Sequence, residues 1–144
     1  MSLSVAIGGD HAGYELKKVI IDLLNTRGYK VKDFGPHSAE SVDYPDFVHS
    51  VATAVHSGQY NLGVVICGSG NGVCMTANKH EDIRAALCWK PELASLARQH
   101  NDANVLCMPA RYISEKEALE ITNAFFDASF EGGRHKRRVN KINL

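Results

Sequence analysis

Short apolar runs alternate along this chain with longer amphipathic ones, and that alternation limits the fold more than any other feature. Residues 3–8 read as a buried strand. In residues 13–27, Leu16, Val19, Ile20, Leu23 and Leu24 recur at the spacing of one helix face. Gly28 stands where a left-handed residue ends such a helix. Residues 29–34 alternate apolar side chains with Lys30, Lys32 and Asp33, as an edge strand would. Pro45 opens a second helix running to His56. Residues 62–67 form the most apolar run and belong at the centre of a sheet. Residues 71–78 predict a short helix and 83–88 a fourth strand. Residues 91–99 predict a helix with Leu93, Leu96 and Ala97 inward, and 104–108 a fifth strand. Ser114-Glu-Lys-Glu117 is a capping box that starts a helix through Phe126. Residues 131–143 predict a last, charged helix separate from the core. Strands alternating with helices imply a parallel α/β sheet covered on both faces.

The 144 residues suffice for one domain with a real core, so the span 1–144 reads as a single domain with a basic extension at 130–144. Lysine and arginine balance aspartate and glutamate at 16 each, which gives no overall steering toward nucleic acid or membrane. The balance hides an asymmetry. Residues 134–144 carry Arg134, Lys136, Arg137, Arg138 and Lys141 with no acid. No aromatic RNA-binding motif accompanies them, so non-specific phosphate attraction is the only nucleic-acid argument available. No apolar stretch approaches the ~20 residues of a membrane span, and no leader-like segment precedes the first strand. Cys67, Cys74, Cys88 and Cys107 include no CxxC pair. That argues against a disulfide framework or a zinc site and for a reducing cytoplasm.

Ligands of open parallel sheets bind beyond the carboxyl ends of the strands. Here those ends lead into Gly8-Gly-Asp-His-Ala-Gly13, Cys67-Gly-Ser-Gly-Asn-Gly72, Trp89-Lys90 and Pro109-Ala-Arg111. The first loop misses the dinucleotide fingerprint because Asp10 puts a charged side chain where backbone must approach a pyrophosphate. In the second loop, three glycines after a buried strand let backbone N–H groups converge at a helix start, a nest for an anion or developing oxyanion. The Lys-Ser/Thr ending of a nucleotide-binding P-loop is absent. Cys67 stands at the edge of this nest, whose partial positive charge favours thiolate. Plainer readings exist: Cys67 as the last core residue, Asp10 as a helix cap, His100 as a surface residue near a helix C-terminus. Arg134 and Arg138 lie one helical turn apart and can face one target.

Taken together these segments resemble the ribose-5-phosphate isomerase B family, within the group that also holds galactose-6-phosphate isomerase subunits. The carriers are Gly9-Asp-His-Ala-Gly13, Asp43-Tyr-Pro45, Cys67-Gly-Ser-Gly-Asn-Gly72, Ala77-Asn-Lys79, Arg98-Gln-His-Asn-Asp102 and Glu131-Gly-Gly-Arg-His135. The resemblance covers essentially the whole chain. It implies a Rossmann-like sheet of five parallel strands and a dimer or dimer of dimers, with the C-terminal helix reaching a partner subunit at shared sites. It further implies metal-free, cofactor-free interconversion of ribose 5-phosphate and ribulose 5-phosphate through a cis-enediolate. By the same match, Cys67 is the base, and the amides of Gly68, Ser69, Gly70, Asn71 and Gly72 hold the enediolate. His100 opens the furanose ring, and Ser69 moves a proton between O1 and O2. Asp10 and Asn101 hold sugar hydroxyls, and Tyr44 lines the pocket. His11, Arg111, Arg134 and Arg138 surround the phosphate, which suits paired guanidinium donors. Val73 stands where some members carry a glutamate base, which fits the cysteine-type mechanism, and Ser69 replaces a threonine found in others. The alternatives are a hexose-phosphate isomerase acting on galactose 6-phosphate or allose 6-phosphate, and a phosphosugar-binding module without chemistry.

Overall fold

The computed structural model describes residues 3–144; Met1 and Ser2, the start of the domain expected over 1–144, lie outside the described residues. The strands are β1 (Ser4–Gly9), β2 (Lys30–Asp33), β3 (Leu62–Cys67), β4 (Ala85–Leu87) and β5 (Val105–Pro109). The helices are α1 (Tyr14–Thr26), α2 (Pro45–His56), α3 (Asn71–Ala77), α4 (Pro91–Asn101), α5 (Glu115–Asp127) and α6 (Arg134–Val139). All five strands are parallel, in the order β2-β1-β3-β5-β4. The most apolar run is therefore the central strand, and the alternating run at 30–33 is an edge.

Side chains along each strand point alternately to the two faces, which separates two cores. Val5, Ile7, Val64, Ile66, Leu106 and Met108 meet Ile20 and Leu24 of α1, Ala94 of α4, and Ile121 and Phe125 of α5. Ala6, Val65, Cys67, Val105 and Cys107 meet Val48, Val51 and Val55 of α2 and Val73 of α3. The chain runs outward from β1 to β2, then returns to the other side of β1 for β3. That reversal opens a crevice beyond the carboxyl ends of β1 and β3. It also brings the backbone of the β1–α1 loop hard against β3. The Asp10 amide donates to the Ile66 carbonyl at 3.2 Å. A β-carbon at Gly13 would lie 2.6 Å from that same carbonyl oxygen, and one at Gly9 closer still.

Several details depart from expectation. Leu96 is 36% exposed, while Ala97 is buried as expected and Ala94 shares that buried face of α4. At 3.6 residues per turn, Leu96 lies about 200° around the helix from Ala94, too far to share its face. α4 also continues past Gln99 to Asn101, where Asp102, with φ +48°, ends it. β4 is shorter than predicted, because the Arg84 amide bonds the Asn104 side chain at 2.7 Å instead of a neighbouring strand. α6 spans only Arg134–Val139, after Gly132 and Gly133 at φ +70° and +56°. Nor does it stand apart, since His135 is buried. Lys17 on α1 is buried too, donating to Asp33 Oδ1 at 2.9 Å and to the Pro36 carbonyl. Both ammonium bonds offset the cost of taking that charge out of water. Among the described residues, no helix is long and apolar enough to cross a membrane.

The predicted capping box is present. The Ser114 hydroxyl accepts from the Glu117 amide at 3.1 Å, and Glu117 Oε1 accepts from the Ser114 amide at 2.8 Å. The Ser114 donors lower the Glu117 pKa. This contribution is therefore present above the ordinary carboxylate range and is lost as pH falls through the lowered value. Ser114→Ala is expected to cost about 1 kcal/mol. Gly13→Ala should cost more, at or above the top of the ~1–3 kcal/mol range for overpacking, because a carbonyl of the central strand cannot retreat. Urea unfolding of both variants checks the comparison, and a Gly13→Ala protein as stable as Ser114→Ala would contradict it.

Candidate functional site

The crevice between β1 and β3 holds a cleft of about 310 Å³ lined by Asp10, His11, Ala12, Tyr44, Cys67, Gly68, Ser69, Gly72, Arg111 and Tyr112. Asp10 is 8% exposed, and its Oδ1 accepts from the Ala12 and Gly13 amides at 3.0 and 3.3 Å. Its cap role and its place in the cleft are thus compatible, since the second carboxylate oxygen makes neither bond. His11 Nδ1 accepts from the Val42 amide at 3.2 Å. In neutral imidazole that leaves Nε2 carrying the proton, a donor suited to an anion.

Cys67 closes β3 and is buried to 5% exposure. Its carbonyl accepts from the Ala110 amide at 2.8 Å, and the Gly68 carbonyl accepts from the Arg111 amide at 3.0 Å. These two bonds fasten the segment after β5 to the glycine loop. They also set the Arg111 guanidinium over Gly68, where an added β-carbon would meet Nη1 at 3.1 Å. The Ser69 hydroxyl accepts from the Asn71 amide at 3.3 Å, and Gly70, with φ +77°, opens α3. Among the described residues, the Ser69 and Gly70 amides donate to no other group of the chain. Gly72 is required because the Tyr44 ring rests on it: a β-carbon there would lie 2.6 Å from the Tyr44 hydroxyl.

The remaining thiols lie outside this cleft. Burial pushes the Cys88 thiol up to about 12 and the Cys107 thiol well above the usual range. Half-buried Cys74 is shifted down, chiefly by its hydrogen bond with Cys107.

Asn71 lies next to the cleft rather than in it, in a hollow shared with Ser69, Leu87, Trp89, Pro109 and Tyr112. Gly70 sits deeper, with space for a β-carbon closed by Met108 and Pro109. Four expected site residues are absent from the cleft of this chain: His100, Asn101, Arg134 and Arg138. Asn101 instead lines a separate hollow of about 660 Å³ with His80, Arg84 and Ile142. The His100 ring stacks on His135, centroids 4.2 Å apart and planes 7° from parallel. Sequence reasoning did not single out Tyr112, which is 77% exposed at the cleft. Nor did it assign Glu131 and His135 a role, although their i, i+4 spacing was a usable signal.

His100, Glu131 and His135 bring one ligand atom each within 4.8 Å of one another. The nearly parallel ring planes leave the in-plane lone pairs running side by side, whereas a shared ion needs them to converge.

A sequence profile described as Ribose/Galactose Isomerase matches residues 5–142. The chain is 44% identical over 138 residues to ribose-5-phosphate isomerase B of Escherichia coli (strain K12), covering 96% of this chain and 93% of that protein. Ribose-5-phosphate isomerase B of Clostridium thermocellum superposes with a TM-score of 0.96 at 50% identity, over 97% of this chain and 95% of the other. The enzyme of Mycoplasma genitalium with bound ribulose-5-phosphate does so with a TM-score of 0.94 at 46% identity, over 99% and 95%. Together with the thiol, the open amides and the cationic rim at one sheet crevice, these likenesses place the chain in the ribose/galactose isomerase family.

Proposed function

We propose that the protein interconverts D-ribose 5-phosphate and D-ribulose 5-phosphate in sites shared between two copies of the chain. The observation that carries this reading is the cleft itself: Cys67, Ser69 and Asp10 stand beside unpaired amides at one end, with His11 and Arg111 supplying anion donors. Its volume of about 310 Å³ matches a small, phosphorylated sugar better than a dinucleotide.

The chemistry starts from the cyclic aldose. His100 takes the anomeric hydroxyl proton, the bond from C1 to the ring oxygen breaks, and that oxygen receives a proton. The product is a C1 aldehyde with a free hydroxyl at C4. Cys67, as thiolate, then removes the proton from C2, and the electron pair moves through C1 to O1. The amides from Gly68 to Gly72 stabilise the charge that develops there. Ser69 passes a proton from O2 to O1, and the thiol returns its proton to C1. The result is the ketose, with thiolate restored. Asp10 and Asn101 hold sugar hydroxyls, Tyr44 closes the sugar pocket, and His11, Arg111, Arg134 and Arg138 hold the phosphate.

Because His100, Asn101, Arg134 and Arg138 lie apart from the cleft of their own chain, a second copy must supply them. Trp89 and Tyr112, which are 50% and 77% exposed, provide apolar surface beside the cleft for that partner. An isologous dimer then makes two equal sites, and two dimers can pair further. Four free thiols fit a reducing compartment, and we infer that the protein acts in the cytoplasm.

EDTA-treated protein is expected to turn over ribose 5-phosphate undiminished; no turnover of this sugar would remove the substrate assignment. Cys67→Ala should lower kcat by about 10²–10⁴-fold with little change in substrate binding. A loss of only a few-fold would exclude Cys67 as the base, and Cys88→Ala serves as a control that should affect stability alone. Mixing Cys67→Ala protein with Arg134→Ala/Arg138→Ala protein should restore activity, since some hybrid dimers contain one intact site. If mass spectrometry shows subunit exchange and activity stays absent, the arginines serve their own subunit.

A further inference from the structure

The C-terminus of α4 and the segment entering α6 assemble three side chains around His100. The His135 ring lies against the His100 ring at 4.2 Å and 7°. Glu131 Oε1 lies 3.7 Å from His100 Nε2 and 3.5 Å from His135 Nε2, so one carboxylate oxygen faces both rings. The Glu131 amide donates to the Gln99 carbonyl at 3.0 Å, which ties this carboxylate to the helix that carries His100. Exposure divides the pair. The side chain of His135 is 11% exposed and that of His100 39%, so one ring is backing and the other is presented.

We propose that Glu131 and His135 are positioning residues for His100. The stacked His135 ring fixes the plane in which His100 is offered to the sugar. Glu131 stabilises the imidazolium that forms when His100 takes the anomeric proton. This inference rests on the reading of His100 as the ring-opening group. Two stacked imidazoliums repel, so only one ring can readily carry the charge. Burial, followed by His100 and Arg134, lowers the His135 pKa, with Glu131 pulling the other way. His135 is accordingly the ring disfavoured for the charge, so the imidazolium of the ring-opening step falls on the presented ring, His100, which Glu131 Oε1 also faces at 3.7 Å.

The other charges nearby leave this arrangement intact. Arg98 of α4 pairs with Asp102, just beyond that helix's end, at 3.2 Å. On α5, Glu117 bonds Ser114 and Asp127 bonds Arg27. From α6, Arg134 and Arg138 act on His135 and oppose imidazolium formation, which makes the Glu131 charge more important. In the proposed dimer, the second copy's cleft would bring its Asp10, His11, Cys67 and Arg111 to the same site as His100.

Ribulose 5-phosphate separates ring opening from the carbon acid. Its O5 carries the phosphate, so it cannot close a five-membered ring, and deuterium uptake from solvent at C1 reports the enediolate step alone. Glu131→Gln removes the carboxylate that faces the imidazolium, so ring opening is expected to slow selectively. Turnover of the cyclic sugar should fall about tenfold, while C1 exchange stays unchanged. His135→Ala should slow the cyclic sugar in the same selective way, and His135→Tyr should recover it by restoring a stacked ring. His100→Asn is the reference variant. If it blocks the cyclic sugar selectively but Glu131→Gln leaves turnover of the cyclic sugar unchanged, the positioning role is wrong and the ring-opening assignment stands. Equal loss of both reactions in Glu131→Gln shows a merely structural role and also overturns the inference. If His100→Asn spares the cyclic sugar, or impairs both reactions equally, the ring-opening assignment itself fails.

Discussion

The bond from the Asp10 amide to the Ile66 carbonyl, with Gly9 and Gly13 packed against the same strand, sets the geometry on which the site depends. A parallel sheet leaves its carboxyl-end loops free to diverge, and at the reversal between β1 and β3 they do so most. Here the first loop is drawn back onto β3 by contact that admits no side chain. That contact puts Asp10 and His11 beside Cys67, and one Asp10 oxygen caps the short 3-10 turn, His11–Gly13, that leads into α1. One carboxylate thus serves the fold through one oxygen and lines the cleft with the other.

The two cores formed by strand alternation explain why Cys67, and not Cys107 on the same face, lines the cleft. Cys107 faces the α2/α3 layer with protein on every side, and desolvation keeps its proton on. Cys67 faces that same layer at the last strand residue, where the sheet ends and the glycine loop turns away. Position along the strand, more than residue type, separates a core thiol from a cleft thiol. Arg111 and Tyr44 then close over the loop, each seated on a glycine that leaves them room.

Charge is distributed between two regions rather than concentrated in one. The cleft offers His11 and Arg111, while Arg134 and Arg138 lie on α6 beside the His100–His135 stack. A phosphate dianion can draw on several guanidiniums only when they converge. In the proposed dimer, convergence comes from assembly, and each copy avoids crowding like charges in its isolated fold.

Much of the fold was legible in the sequence. The apolar run at 62–67 required a buried centre, the lysines at 30 and 32 required an edge, and the serine-to-glutamate spacing at 114–117 named a helix start. Each is a local rule in which neighbouring residues settle the outcome. The cleft members Asp10, His11, Cys67, Ser69 and Arg111 were also legible, because strand ends fix where loops emerge. Other features depended on contacts between distant segments. The sequence alone did not reveal that Lys17 would be buried by Asp33 and Pro36, or that α4 would turn Leu96 outward. Nor did it show that Glu131 and His135 would enclose His100, or that Asn101 would face away from its own chain's cleft. Periodicity identifies a helix, but which side chains find partners depends on the rotation and spacing of packed elements. Those are decided only when the whole chain closes around its two cores.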